Sequence, residues 1–143
     1  MLDEFNLHRF IEAQTDTYDQ ALTELRTGRK RSHRMWFIFP QLAGLGYSDM
    51  SRRYPLSGLG EARAYLAHPE LGARLHACAE ALLDVPDRSI GQILGSPDDL
   101  KLRSRATLFA QVSPPGSVFH QLIEKYFAGQ PDAGTLRLLD RLE

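Results

Sequence analysis

The residues best suited to chemistry fall in two short segments. The first runs from Arg26 to Tyr54. Between Glu24 and Asp49 the sequence has no acid, and that interval holds Arg26, Arg29, Lys30, Arg31 and Arg34, with His33 among them. Trp36, Phe37 and Phe39 follow at once, then Pro40-Gln41. Cations beside aromatic rings can grip a phosphate while a ring stacks on the attached base or sugar. In this reading Arg29, Lys30 and His33 hold phosphate, Trp36 or Tyr54 stacks, and Gln41 and Ser48 hydrogen-bond. The second segment runs from Gly95 to Phe109. Asp98 and Lys101 stand three apart and so share a helix face. An acid beside a lysine can orient a substrate or transfer a proton, which makes Asp98 and Lys101 the candidate catalytic pair.

Each feature also has a more ordinary explanation. Basic residues after a helix C-terminus favour its dipole, and charge runs usually form solvated faces. The aromatic run fits a core better than a cofactor box, because aromatic burial is strongly stabilising. Asp98 and Lys101 alone make an ordinary helix-start ion pair, worth a few tenths of a kcal/mol when exposed. Several chemistries have no motif here. No glycine-rich phosphate loop ends in Lys-Ser or Lys-Thr, and Gly44-Leu45-Gly46 lacks a third glycine. There is no Gly-x-Ser-x-Gly elbow. His8, His33, His68, His76 and His120 have no recognised metal spacing, and Cys78 has no cysteine neighbour, so neither metal nor cofactor is expected.

The elements that must carry these residues read as helices. Leu7, Phe10 and Ile11 open one turn, with Asn6 as its cap. Tyr18, Ala21, Leu22 and Leu25 share a face, and Gly28 sits where a helix C-cap would. Leu71, Leu75, Cys78, Leu82 and Val85 form a longer stripe, begun through Pro69. Ser96-Pro97-Asp98-Asp99 reads as a cap, a proline and two acids at the positive end of a dipole. Leu102, Ala106 and Phe109 continue that helix. Phe119, Leu122, Ile123 and Tyr126 make another, closed by Gly129, and Asp132 caps a last one through Leu136, Leu139 and Leu142. Periodicity leaves Met35 to Phe39 open between short strand and short helix, and Ser32 as a cap favours helix. Gln41 to Gly60, with four glycines, reads as a long ordered loop. No hairpin signal or sustained alternation appears. The expected fold is all-α, a compact bundle of about seven short helices with a long glycine-rich ordered loop, forming a single helical domain over residues 1–143.

Composition sets the limits. The chain has 143 residues, 43% of them hydrophobic, and a net charge of −1. That length and composition can bury a core without metal or disulfide. The lone Cys78 cannot form an internal disulfide, no apolar run approaches a membrane span, and the start has acids where a secretory signal has bases. The expected location is the cytoplasm and the expected state a monomer. Without a basic excess, nucleic acid is not the expected partner.

Longer stretches resemble a known family. Arg9-Phe10-Ile11-Glu12-Ala13-Gln14, Lys30-Arg31-Ser32-His33 and Met35-Trp36-Phe37-Ile38-Phe39-Pro40-Gln41 are similar to the domain of unknown function 1810 family, whose members are sometimes labelled calpastatin-like. So are His68-Pro69, Leu71-Gly72 and Lys101-Leu102-Arg103-Ser104. The resemblance covers nearly the whole chain. It implies a small helical fold and no established activity. Arg34 stands where that pattern has an aromatic residue, and Arg105-Ala106 where it has a small polar residue and Met. A looser similarity links Tyr18-x-x-Ala21, a later leucine-rich helix, Gly95 and Asp98 to the YbiA-like group. That group acts on ADP-ribose or riboflavin-pathway N-glycosides, and its glutamate-histidine motif is missing here. Two functions are therefore expected in competition. One is a site for an anionic small molecule, nucleotide or ADP-ribose-like, with N-glycosidic hydrolysis as the reaction if it is an enzyme. The alternative is a non-enzymatic module whose basic edge meets an acidic protein or RNA.

Overall fold

A computed structural model describes residues 4–45 and 54–142. Among these residues the chain is all-α. The helices are α1 (His8–Gln14), α2 (Tyr18–Arg26), α3 (Leu59–Ala67), α4 (Pro69–Leu83), α5 (Ile90–Leu94), α6 (Asp98–Ala110), α7 (Val118–Phe127) and α8 (Ala133–Leu142), with a 3-10 turn at Arg34–Phe37. The only pairing of β type among them is an isolated parallel bridge, Leu42 to Leu56. No helix among the described residues is long and apolar enough to cross a membrane.

The apolar stripes build one shared core. Helix α4 packs against α2, α3 and α7, and α6 packs against α3, α5, α7 and α8. Leu25, Leu71, Leu75, Cys78, Leu82, Leu102 and Leu122 are all fully buried. A file of rings crosses the interior: Phe10 to Tyr65 at 5.1 Å, Tyr65 to Phe109 at 5.7 Å, and Phe109 to Phe119 at 5.5 Å. Such ring pairs stabilise beyond their area alone. Burial pushes the Cys78 thiol up to about 12, so it is a packed group and not a thiolate.

Most helix ends follow the sequence signals. Gly28 takes φ +76° just past α2. Pro69 opens α4, and the His68 ring accepts from the amides of Glu70 and Leu71. Asp132 accepts from the Thr135 amide at 2.9 Å. Two cap assignments are corrected. Asn6 does not cap α1; it takes φ 52°, and its carbonyl accepts from Arg9. Ser96 does not cap α6, which follows Pro97 without a side-chain cap. Two helices also lie outside the periodic reading. Helix α5 is five residues long, too short for a stripe, and is set by the Ser89–Gln92 capping box. Helix α3 turns Ala62, Tyr65 and the carboxylate residue Glu61 inward, so it lacks a leucine stripe.

The Met35–Phe39 run is neither strand nor α-helix. It is a 3-10 turn held by side chains from three helices. Gln14 of α1 donates to the Phe37 carbonyl at 2.9 Å, Tyr65 of α3 to Ile38 at 2.8 Å, and Arg105 of α6 to Phe39 at 2.6 Å. Gln14 also donates to the Tyr65 hydroxyl and accepts from Arg74. A short 3-10 turn leaves carbonyls unpaired, and these buried donors satisfy three in succession.

Candidate functional site

Where α6 begins, the two special segments meet. The Asp98 carboxylate receives Lys30 at 2.8 Å on one oxygen and Lys101 at 3.2 Å on the other. Asp98 is 7% exposed and the Lys30 side chain equally so, while the Lys101 side chain is 38% exposed. The pair is therefore largely withdrawn from water on the Lys30 side and open on the Lys101 side. Burial by itself would raise the Asp98 pKa. Hydrogen bonds from Lys30 and Lys101, and their charges, overcome that and hold the carboxyl below the usual range. Asp98 is ionised at neutral pH.

His33 stands at the rim, with 71% of its side chain exposed. Its Nδ1 lies 3.3 Å from the Lys30 ammonium and 3.8 Å from Asp98. An ammonium only donates, so Nδ1 accepts and the proton of neutral His33 sits on Nε2.

A loop must place Lys30 and His33 so that both reach α6, and Glu24 organises it. Glu24 is 7% exposed. Its carboxylate accepts from the amides of Arg31 and Ser32 at 2.9 and 3.0 Å and from the Ser32 hydroxyl at 2.8 Å. Burial opposes its charge, but these hydrogen bonds outweigh it and lower the Glu24 pKa. The Lys30 amide is tied to the Ile93 carbonyl of α5 at 2.8 Å. The loop is thus fixed from both sides of the charged cluster.

Arg105 extends the cluster inward. It lies seven residues after Asp98 on the same face of α6. It is 4% exposed and donates to three neutral oxygens: Phe39 carbonyl, Lys101 carbonyl at 3.3 Å and Gln41 Oε1 at 3.4 Å. Among the described residues no acid stands within ion-pair distance of it. Burial pulls its pKa down to about 9, with Asp98 acting the other way through space, so it stays charged at pH 7. Its guanidinium covers the Trp36 ring at 4.4 Å, and the Lys101 ammonium lies 5.9 Å from the same ring. Trp36 is 3% exposed, and its indole N–H is buried without an acceptor among the described residues. A buried donor left unmade costs about 1–3 kcal/mol.

The structure therefore brings together Lys30, His33, Trp36, Gln41, Asp98 and Lys101. The arrangement of the expected site residues differs from the sequence expectation in three places. Trp36 is a core residue whose ring is covered by Arg105, which leaves that face closed to stacking. Tyr54 packs on Phe10 and Phe37 at 6.0 and 5.5 Å, away from the charges. Arg29 is exposed, and among the described residues only its backbone amide is engaged, by the Glu24 carbonyl. Ser48 lies outside the described residues. The glycine-rich stretch is described only at its ends, where Ala43 and Leu56 are joined by a 2.8 Å hydrogen bond. Two residues of the site escaped sequence reasoning. Arg105 was visible as the third member of a polar stripe with Asp98 and Lys101. Glu24 looked like one acid among many in the first helices.

Residues 4–139 match the family described as "Protein of unknown function (DUF1810)". The chain belongs to that family. It is also similar to a solved structure, the conserved hypothetical protein Rv1873 from Mycobacterium tuberculosis, with 50% identity and a TM-score of 0.93. That likeness covers 96% of this chain and 99% of the other. No curated protein matches it. Family membership accounts for the helical fold and brings no activity with it. Arg34 reaches the Glu24 carboxylate at 3.9 Å, so its charge supports the loop.

Proposed function

We propose that this DUF1810 protein binds a small anionic ligand of the nucleotide or ADP-ribose class at the Asp98 cluster. One observation carries the reading. Lys30 and Lys101 pair with the one carboxylate of Asp98 and the buried Arg105 lies beyond them, so the lysine, arginine and aspartate charges of the described cluster sum to two positive charges in excess. Partly buried cations attract an anion more strongly than surface ones, because screening is weaker. Lys30, Lys101 and the exposed His33 supply donors for ligand oxygens, and Asp98 can accept from a sugar hydroxyl.

The same geometry suits hydrolysis of an N-glycosidic bond. As that bond breaks, positive charge builds on the sugar, and an ionised Asp98 facing it is stabilising. Water adds its oxygen to the anomeric carbon and gives its proton to Asp98. The bonding electron pair leaves with the nitrogen, which takes a proton from Lys101, and Asp98 then restores that proton to Lys101. The ionised state that the two lysines impose on Asp98 supports the electrostatic part of this role.

A thermal-shift panel of nucleotides, NAD, ADP-ribose, ribose phosphates and flavin precursors tests the reading. A ligand at a hundred times its Kd adds about 2.7 kcal/mol, which raises the midpoint by several degrees in a domain of this size. The expected result is a shift that disappears in Lys30→Ala and Asp98→Ala. Chromatography of the stabilising compound after incubation then shows whether its base is released. A panel without any shift, joined to salt-sensitive retention of RNA, would replace this reading with the interaction module.

A further inference from the structure

We infer that the inner half of this site, Arg105 beside the Trp36 ring, is built to hold a terminal phosphate in its doubly charged form. The inference rests on the anion-binding reading above and narrows it to ligands that carry a phosphomonoester, such as a mononucleotide, since ADP-ribose carries only a bridging pyrophosphate. Among the described residues, Arg105 is a nearly buried cation whose hydrogen-bond acceptors are all neutral. Buried charges are ordinarily paired, so an oxyanion completes this one. The Trp36 N–H, which has no acceptor among the described residues, belongs to the ring that Arg105 covers, which gives the same locality an unsatisfied donor beside the unpaired charge.

Charge sets the kind of anion. The two excess positive charges match the ≈ −1.5 to −2 of a phosphomonoester at pH 7. A carboxylate or phosphodiester supplies one charge and leaves a cation uncompensated. Geometry agrees with this. The guanidinium fork fits phosphate oxygens, and its contact with Gln41, at 3.4 Å, is the longest of its hydrogen bonds and the easiest to exchange. Lys101 links the two halves. Its carbonyl accepts from Arg105 while its ammonium reaches Asp98 at the open side.

Trp36 is the single tryptophan of the chain, so its fluorescence reports on this subsite alone. Ribose 5-phosphate and sulfate are titrated into the wild-type protein at constant ionic strength, at pH 5 and pH 7.5. Sulfate stays divalent at both pH values, so it records any change in the site itself. The phosphomonoester gains its second charge near pH 6. Its affinity relative to sulfate is expected to rise about fivefold or more between the two pH values. Arg105→Gln is expected to weaken ribose 5-phosphate roughly ten- to a hundredfold, the range of a charged hydrogen bond. Far-UV circular dichroism checks its fold, and Arg105→Lys, which keeps charge without the fork, serves if the glutamine variant does not fold. A ratio that stays flat with pH, or wild-type affinity in a folded Arg105 variant, overturns the inference. If nucleotides or ADP-ribose stabilise the protein while ribose 5-phosphate leaves Trp36 unchanged, the subsite is wrong and the anion-binding reading survives. If nothing in the thermal-shift panel stabilises it, both fail.

Discussion

Asp98 is the residue on which the charged cluster turns. Its pKa is lower in the folded chain than in the unfolded one, so the folded state binds fewer protons in that window. Its stabilising contribution is therefore present at neutral pH and is lost as pH falls below about 4. Asp98→Asn leaves Lys30 buried without its anion. At pH 7 it should cost about 3 kcal/mol in urea unfolding, the range for breaking a buried pair. The difference from wild type should shrink when both are measured at pH 2.5 to 3. A difference independent of pH would mean that Asp98 contributes by shape and not by charge. Glu24 has the same sign of shift, and its role lies in the loop. Glu24→Gln keeps the side chain's size but weakens three hydrogen bonds to residues 31 and 32. We expect a loss of about 1–3 kcal/mol, together with faster hydrogen exchange at the Arg31 and Ser32 amides. Unchanged exchange there would show that the Lys30 amide tie to Ile93 is sufficient.

At the scale of elements, the corner between α3 and α4 is the most constrained join. Gly72 lies where a Cβ would come within 2.1 Å of the Leu66 carbonyl oxygen. That contact is with backbone, so no side chain can swing aside. Gly72→Ala should destabilise by about 3 kcal/mol, the upper range of overpacking. The comparison is Gly91→Ala, where the nearest atoms are at 3.9 Å and the change should cost little. Equal denaturation midpoints for the two would refute the close crossing. The 3-10 turn is the second constrained element. Tyr65→Phe removes the donor to the Ile38 carbonyl and leaves the buried Gln14 amide with one acceptor fewer. It should cost about 1–3 kcal/mol.

Across the whole molecule, Trp36 touches α6 while Phe109 and Phe119 join α6 to α7 within the same core. Local and global unfolding should therefore be linked. Urea transitions followed by Trp36 fluorescence and by far-UV circular dichroism are expected to coincide, as two-state unfolding requires. Separated midpoints would place the charged cluster in a region that opens before the core. Saturating ligand should move both midpoints together.

The sequence alone determined the helical class, because residues at spacings of three, four and seven must share a face and be buried. It determined Pro69, Gly28 and Asp132 as helix boundaries, since each acts through its own backbone or its nearest neighbours. It also singled out Lys30, His33, Asp98 and Lys101, because an acid-free basic interval and an acid–lysine spacing are local patterns. Only the tertiary structure decided that Lys30 and Asp98 lie 2.8 Å apart, since the 67 residues between them are folded back by contacts no local pattern encodes. The same holds for Trp36. Its type fitted both core and site, and the packing of Arg105 across its ring made it core. Helix α3 and the 3-10 turn were illegible for a related reason. Their conformations rest on Glu61, Gln14, Tyr65 and Arg105, polar side chains whose partners are remote in sequence and whose burial becomes favourable only once those partners arrive.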